Sequence, residues 1–68
     1  MKVIINDTLI NLSSSTMTLE QAVLNSGVTD FRGLAVAVNN KVIPRINWGT
    51  FNLNENDTIT IIHATQGG

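Results

Sequence analysis

A strand is predicted near the C-terminal end by Thr58-Ile59-Thr60-Ile61-Ile62, which consists of β-branched residues. At the other end of the chain, Lys2-Val3-Ile4-Ile5 predicts the first strand for the same reason. These two stretches have the most continuous apolar character among the predicted strands, which is typical of strands shielded on both faces. We therefore expect the first and last strands to lie side by side in the middle of one sheet.

Three further strands are predicted between them. Turns rich in asparagine connect neighbouring strands into two hairpins. Asn6-Asp7 and Asn39-Asn40 predict tight turns, because Asn and Asp tolerate left-handed backbone angles. Pro44 ends the fourth strand and therefore places it at an edge of the sheet. In the third strand, Ala35 and Ala37 share one face and leave room for a close neighbour there. The three strands are predicted over residues 8–12, 34–38 and 41–43.

One short helix is predicted between the second and third strands, over residues 18–26. Thr18 and Gln21 fit a capping box at its start, and Gly27 supplies the left-handed residue that ends it. A helix this short is marginal by itself, so an apolar face must pack on the sheet. The predicted face consists of Leu19, Ala22, Val23 and Ser26.

The order of these elements is strand, strand, helix, strand, strand, strand, with no internal repeat and no linker. It predicts one α+β domain in which a mixed sheet of four to five strands packs on one helix. This arrangement is the β-grasp, or ubiquitin-like, fold. We expect residues 1–63 to form the β-grasp domain and residues 64–68 to form a flexible C-terminal tail that ends in Gly-Gly.

The composition excludes several classes of protein. The 68 residues include no cysteine and one histidine, which excludes a disulfide and a structural zinc site. Four Lys and Arg against five Asp and Glu give a net charge of -1, too few basic residues for nucleic-acid binding. The longest apolar run, residues 34–38, is far shorter than the ~20 residues of a membrane span, and no signal peptide is recognisable. We therefore expect a cytoplasmic domain.

Independent catalysis is not expected from the side chains. His63 is the single histidine, and we expect it to face solvent at the end of the last strand. No thiol or second histidine can complete a Cys–His or Ser–His–Asp arrangement. Glu55 and Asp57 belong to a predicted turn, where we expect both carboxylates to be solvated. Trp48 is predicted to cover the open end of the core, and its alternative role is an anchor on a partner protein.

The chemistry of the chain is expected at Gly67-Gly68, its C-terminal pair. A C-terminal carboxylate has a pKa of about 3.5, is ionised at neutral pH and resists acyl transfer. Joining it to AMP gives a mixed anhydride that a sulfur nucleophile can attack. Glycine has no Cβ, so the reacting carbonyl can enter a narrow slot. The tail, residues 64–68, reaches about 16 Å when extended, which is enough to thread into a partner's active site.

The second half of the sequence resembles a known family. The resemblance is carried by Val38-Asn39-Asn40-Lys41-Val42-Ile43-Pro44-Arg45, Trp48, Leu53, Asp57-Thr58-Ile59 and Gln66-Gly67-Gly68. In combination these residues are similar to the ThiS family, the sulfur carriers of thiamine (thiazole) biosynthesis, whose members also share this length. The family commonly has glycine before the aspartate that precedes the last strand. Asn56 stands there in this chain, and asparagine also tolerates a positive φ.

The resemblance implies a carrier that acts as a co-substrate and is not itself an enzyme. The Gly68 carboxylate would be adenylated by a ThiF-like enzyme, converted to a thiocarboxylate with sulfur from a sulfur-donor protein, and used by a ThiG-like thiazole synthase. The chain itself would bind no cofactor, because ATP and its metal belong to the activating partner. No nucleic acid and no membrane is expected as a partner. The expected partner-binding residues are Gly67, Gln66 and Thr65 in the tail, with Arg45, Pro44 and Ile43 beside the edge strand.

Other interpretations of the same fold and tail remain open. One is a MoaD-like small subunit of molybdopterin synthase, although that family is longer and carries bulky apolar residues where this chain has Ala64-Thr65-Gln66. Another is a ubiquitin-like protein modifier, which would join the same carboxylate to a lysine. A plain binding module would need no free C-terminus at all.

Overall fold

The computed structural model describes residues 1–63, which contain five strands and one α-helix in the predicted order. The predicted tail, residues 64–68, lies outside the described residues. The fourth strand is one residue shorter than predicted, and a 3-10 helix, Arg45–Asn47, follows it. The elements are β1 (Lys2–Ile5), β2 (Thr8–Asn11), α1 (Leu19–Asn25), β3 (Leu34–Val38), β4 (Lys41–Val42) and β5 (Thr58–His63).

The five strands form one mixed sheet in the order β2-β1-β5-β3-β4. β1 and β5 are parallel neighbours, with Ile5 opposite Ile59, so the predicted central pairing of the first and last strands is confirmed. The β1–β2, β3–β5 and β3–β4 pairs are antiparallel. The predicted edge position of the fourth strand is also confirmed.

Left-handed residues build the turns where the sequence predicts them. Asn6 and Asp7 have φ angles of 49° and 68°, and Asn39 and Asn40 have φ angles of 52° and 69°. Two successive positive φ angles are what a two-residue hairpin turn requires. Asn56 has a φ of 68°, so asparagine does take the left-handed conformation before the last strand.

Helix α1 begins with the predicted capping box and packs on one face of the sheet. Gln21 N–H donates to Thr18 Oγ1 at 3.3 Å, and Thr18 N–H donates to Gln21 Oε1 at 2.9 Å. Leu19, Ala22 and Val23 are fully buried in the core, as predicted. Ser26 is exposed, contrary to its predicted place on this face, because it is the C-cap and its hydroxyl donates back to the Val23 carbonyl.

The core lies between α1 and the sheet and is closed at one end by the segment that follows β4. Trp48 is buried there and its Nε1–H donates to the Ile43 carbonyl at 2.8 Å, which confirms its predicted core position. The same segment caps the helix, since Glu20 N–H donates to the Trp48 carbonyl at 3.1 Å. No helix within residues 1–63 is long and apolar enough to cross a membrane.

The opposite face of the sheet is exposed. Ile62, in the central strand β5, is 56% exposed, and Leu9 and Val42 are also exposed. The prediction that the central strands are shielded on both faces was therefore wrong for β5. One helix can cover only one face of a five-stranded sheet, and Ile62 points to the other because successive side chains of a strand alternate.

Candidate functional site

The predicted reactive end of the chain lies outside the described residues. This applies to Gly68 and to the tail residues Gly67, Gln66 and Thr65. The structure does describe the tail base, which we define as residues 61–63, the last three residues of β5. Because the tail continues from this point in the sequence, the contacts of the tail base determine how firmly its point of attachment is held.

Asn6 holds the tail base on the β1 side. β1 ends at Ile5, and its ladder with β5 covers only Ile4 opposite Thr58 and Ile5 opposite Ile59. Beyond it, the Ile61 N–H donates to Asn6 Oδ1 at 2.8 Å, and Asn6 Nδ2 donates to the Ile61 carbonyl at 3.3 Å. The side-chain amide thus takes the place of a further strand residue beside β5.

Strand β3 holds the tail base on its other side. The antiparallel register runs to the last residue of β5, with Ala35 opposite Ile62 and Leu34 opposite His63. The tail base therefore has neighbours on both flanks, Asn6 on one side and β3 on the other.

Asn39 holds the start of β5 in a similar way, and with it the carboxylate of Asp57. The Thr58 N–H donates to Asn39 Oδ1, and Asn39 Nδ2 donates to Asp57 Oδ1, both at 3.0 Å. Asp57 Oδ2 also accepts from the Asn54 N–H at 2.7 Å. Asp57 is only 8% exposed, so the prediction that it is solvated was wrong. Glu55 is exposed, as predicted, and accepts from the Lys2 N–H at 3.2 Å.

His63 is exposed at the end of β5, as predicted. It lies at the edge of a groove of about 420 Å³ between the β1–β2 hairpin and the end of α1, where Asn25, Ser26 and Val28 contribute to the wall. No group of three or more His, Cys, Asp or Glu side chains within residues 1–63 could hold a metal ion. Among the described residues, the wall of the groove carries no carboxylate beside His63.

A second depression of the surface beside His63 contains an ion pair between Arg32 and Asp30. Arg32 Nη2 lies 2.8 Å from Asp30 Oδ2, and both side chains are largely exposed. The hydrogen bonds from Arg32 lower the pKa of Asp30.

Sequence reasoning missed an apolar surface next to the tail base. By strand register, one side of the sheet carries a set of apolar and small residues that we call the outer face. Successive side chains of a strand point to opposite faces of the sheet, and this alternation could have revealed the surface. It places the side chain of Ile62 on the face opposite to that of the buried Ile59 and Ile61. The apolar and small residues of the outer face are Ile4, Leu9, Ala35, Ala37, Val42, Thr58, Thr60 and Ile62.

The three predicted docking residues beside the edge strand differ in accessibility. Ile43 is buried in the core, so its side chain offers no surface in this structure. Pro44 and Arg45 are exposed, and the Arg45 guanidinium lies over the Phe31 ring with its carbon 4.8 Å from the centroid. Phe31 in turn meets Trp48 edge-on, with ring centroids 5.3 Å apart. The docking role of Pro44 and Arg45 stays a prediction.

Comparison with known proteins supports the fold and gives the family. The ThiS family model matches residues 3–68 of this chain. The crystal structure of a thiamine biosynthesis protein (ThiS) from Geobacter metallireducens has a TM-score of 0.85 at 14% identity, and the match covers 100% of both chains. The solution structure of a thiamine biosynthesis protein from the same organism has a TM-score of 0.81 at 14% identity, and covers 100% of this chain and 88% of that one. The predicted β-grasp fold is thereby confirmed. No curated protein sequence matches this chain.

Proposed function

We propose that this chain, which belongs to the ThiS family, is a sulfur carrier for thiazole formation in thiamine biosynthesis. The observation that carries the proposal is the extent of the family match, which runs from residue 3 to residue 68 and so includes Gly67-Gly68. The β-grasp body supports it, because the body ends in an ordered strand from which the tail continues. In this role the chain is a co-substrate of its partner enzymes and catalyses no step itself.

The chemistry takes place at the Gly68 carboxylate. A ThiF-like enzyme binds ATP with its metal, the carboxylate attacks the α-phosphorus, and pyrophosphate leaves. The product is an acyl-adenylate, in which AMP is a good leaving group. Sulfur supplied at the level of sulfide by a sulfur-donor protein attacks the acyl carbon, AMP leaves, and the thiocarboxylate remains after loss of a proton. A ThiG-like thiazole synthase then takes the sulfur.

The length of the tail limits where the activating enzyme can dock. Residues 64–68 can span at most about 18 Å from His63, so a partner that holds Gly68 in its active site must also lie against the end of β5. The outer face is the apolar surface at that position, and Ile62 within it immediately precedes His63. We propose that the ThiF-like adenylating enzyme covers the outer face, since burial of exposed apolar side chains favours association. Pro44 and Arg45 are proposed as further contacts, with Arg45 paired to an acidic group of the enzyme.

The proposal is tested by intact mass spectrometry of the carrier after incubation with a ThiF-like enzyme, ATP and a sulfur source. The expected product has one oxygen of Gly68 replaced by sulfur. A variant with one alanine appended after Gly68 is the matched control, and its mass should not change. An unchanged mass of the natural chain with an enzyme that activates another carrier would overturn the proposal. Products of higher mass joined through lysine would identify a protein modifier instead.

A further inference from the structure

We propose that Asn6 is a positioning residue for acyl transfer at Gly68, because its side-chain amide holds the tail base from which the tail continues. The inference rests on the proposed function and adds a named residue to it. Asn6 lies in the β1–β2 turn and is 55 residues away from its partner Ile61 in the sequence.

The first step of the argument is the mismatch in length between neighbouring strands. β1 has four residues and β5 has six, and the two run parallel with Ile5 opposite Ile59. The Asn6 N–H still reaches the Ile59 carbonyl at 3.0 Å, but the chain then turns away into β2. β1 therefore has no backbone groups left to pair with Ile61. Without the Asn6 side chain, the Ile61 N–H and carbonyl would have no hydrogen-bond partner on the β1 side.

The second step is the chemistry of the amide. A primary amide carries one acceptor and one donor group at nearly the spacing of a peptide bond, so it can satisfy both backbone groups of one residue. The turn position requires a positive φ, here 49°, which Asn, Asp and Gly tolerate best. Aspartate would supply no donor and glycine no side chain. Asparagine alone among these three builds the turn and also completes the ladder of β5.

The third step is the position of this contact at the start of the tail. Ile61 is held by Asn6 on one flank, and His63 is paired with Leu34 on the other. If the Asn6 side chain is removed, the Ile61 backbone loses its partner on the β1 side and is held only by β3. A partner that binds the tail must then order the tail base again, and each freed backbone residue weakens binding roughly tenfold. The effect falls on KM of the carrier, because the bound state is the same once the partner holds the tail.

Asn39 provides a matched control within the same molecule. It has the same residue type, the same place in a two-residue turn and nearly the same φ, 52°. Its side chain also accepts from β5, at the Thr58 N–H, which is the end of the strand far from the tail. Asn6→Gly and Asn39→Gly both keep the turn, and each removes a side-chain amide that is hydrogen-bonded to β5. Only Asn6→Gly removes a contact with the tail base.

The test measures pyrophosphate release by the ThiF-like enzyme as a function of carrier concentration, at a temperature where thermal melts show every variant folded. We expect Asn6→Gly to raise KM of the carrier about tenfold with kcat within about twofold, and Asn39→Gly to leave both unchanged. Hydrogen exchange of the Ile61 amide should become faster in Asn6→Gly only. Asn6→Asp, which keeps the acceptor for the Ile61 N–H, should lie between.

The outcomes separate the two proposals. If the natural chain is adenylated but Asn6→Gly has an unchanged KM, or if Asn39→Gly raises KM equally, the positioning role is overturned and the carrier function stands. If the natural chain is not adenylated by an enzyme that is active on another carrier, the carrier function fails and the positioning role fails with it.

Discussion

Trp48 and Ile43 are joined inside the core by a hydrogen bond of 2.8 Å from the indole Nε1–H to the backbone carbonyl. Both residues are buried, and they belong to the segment that follows β4 and closes one end of the core. The contact therefore links the edge of the sheet to the chain that caps helix α1, since the Trp48 carbonyl accepts from Glu20 N–H. A small domain without disulfides depends on such contacts, because its core is limited in size.

Replacement of Trp48 should destabilise the domain to an extent that depends on what is removed. Trp48→Phe keeps much of the apolar volume but leaves the buried Ile43 carbonyl without its donor, so we expect a loss of about 1–3 kcal/mol in the free energy of unfolding. Trp48→Ala also opens a cavity and should cost about 3–5 kcal/mol. Urea denaturation followed by circular dichroism measures both. Ile46→Ala, at an exposed position of the same segment, should change stability by less than about 0.5 kcal/mol. Equal losses for Trp48→Phe and Ile46→Ala would contradict the role of this hydrogen bond.

The buried carboxylate of Asp57 should matter for stability, although no charged side chain within residues 1–63 forms an ion pair with it. Asp57→Ala removes the acceptor of the Asn54 N–H and of Asn39 Nδ2, and we expect the free energy of unfolding to fall by about 1–3 kcal/mol. Glu55→Ala, two residues earlier and exposed, is the control and should change it by less than about 0.5 kcal/mol. Chemical denaturation of the two variants, compared with the natural chain, measures both changes in the free energy of unfolding. A stable Asp57→Ala would show that these hydrogen bonds contribute little.

The outer face should be needed for the adenylating enzyme and not for folding. Ile62→Glu introduces a charge into this face, and we expect the dissociation constant of the carrier–enzyme complex to rise at least about tenfold, which corresponds to ~1.4 kcal/mol. Leu24→Glu is a matched control, because Leu24 is 53% exposed, close to the 56% of Ile62, but lies on helix α1. Titration calorimetry gives the affinities and thermal melts give the stabilities. Weaker binding by Leu24→Glu, with Ile62→Glu unaffected, would place the interface on the helix side.

A methyl group at the last residue should block activation. Gly68→Ala adds a Cβ next to the reacting carbonyl, which then no longer enters a slot shaped for glycine. We expect adenylation, measured as pyrophosphate release, to fall at least about tenfold, and the thiocarboxylate to be absent from the intact mass. Leu24→Ala, at an exposed position of helix α1, is the comparison variant and should retain activity. Full activity of Gly68→Ala would remove the argument that the tail enters a narrow slot.

Local chemistry in the sequence was sufficient to predict most of the fold. The hairpin turns at Asn6-Asp7 and Asn39-Asn40, and the capping box of Thr18 and Gln21, depend on residues a few positions apart. Their geometry can therefore be predicted from short stretches of sequence. The central pairing of β1 and β5 followed from their continuous apolar character, although β5 is open on one face.

The errors fell where distant residues decide the environment. Asp57 was predicted to be solvated because its own turn is polar, yet Asn39, which is 18 residues away, meets its carboxylate. Asn6 was predicted as a turn residue only, since nothing near it in the sequence shows that its side chain meets Ile61. Such contacts require the sheet to be assembled first.

The sequence by itself determined the order of the strands and helix, the positions of the turns and the Gly67-Gly68 end, because each depends on residue type and short spacing. Only the tertiary structure decided which face of the sheet stays open, which carboxylate is buried and which amide completes β5. These features arise when strands far apart in the chain, such as β1 and β5, become neighbours and bring their turns with them.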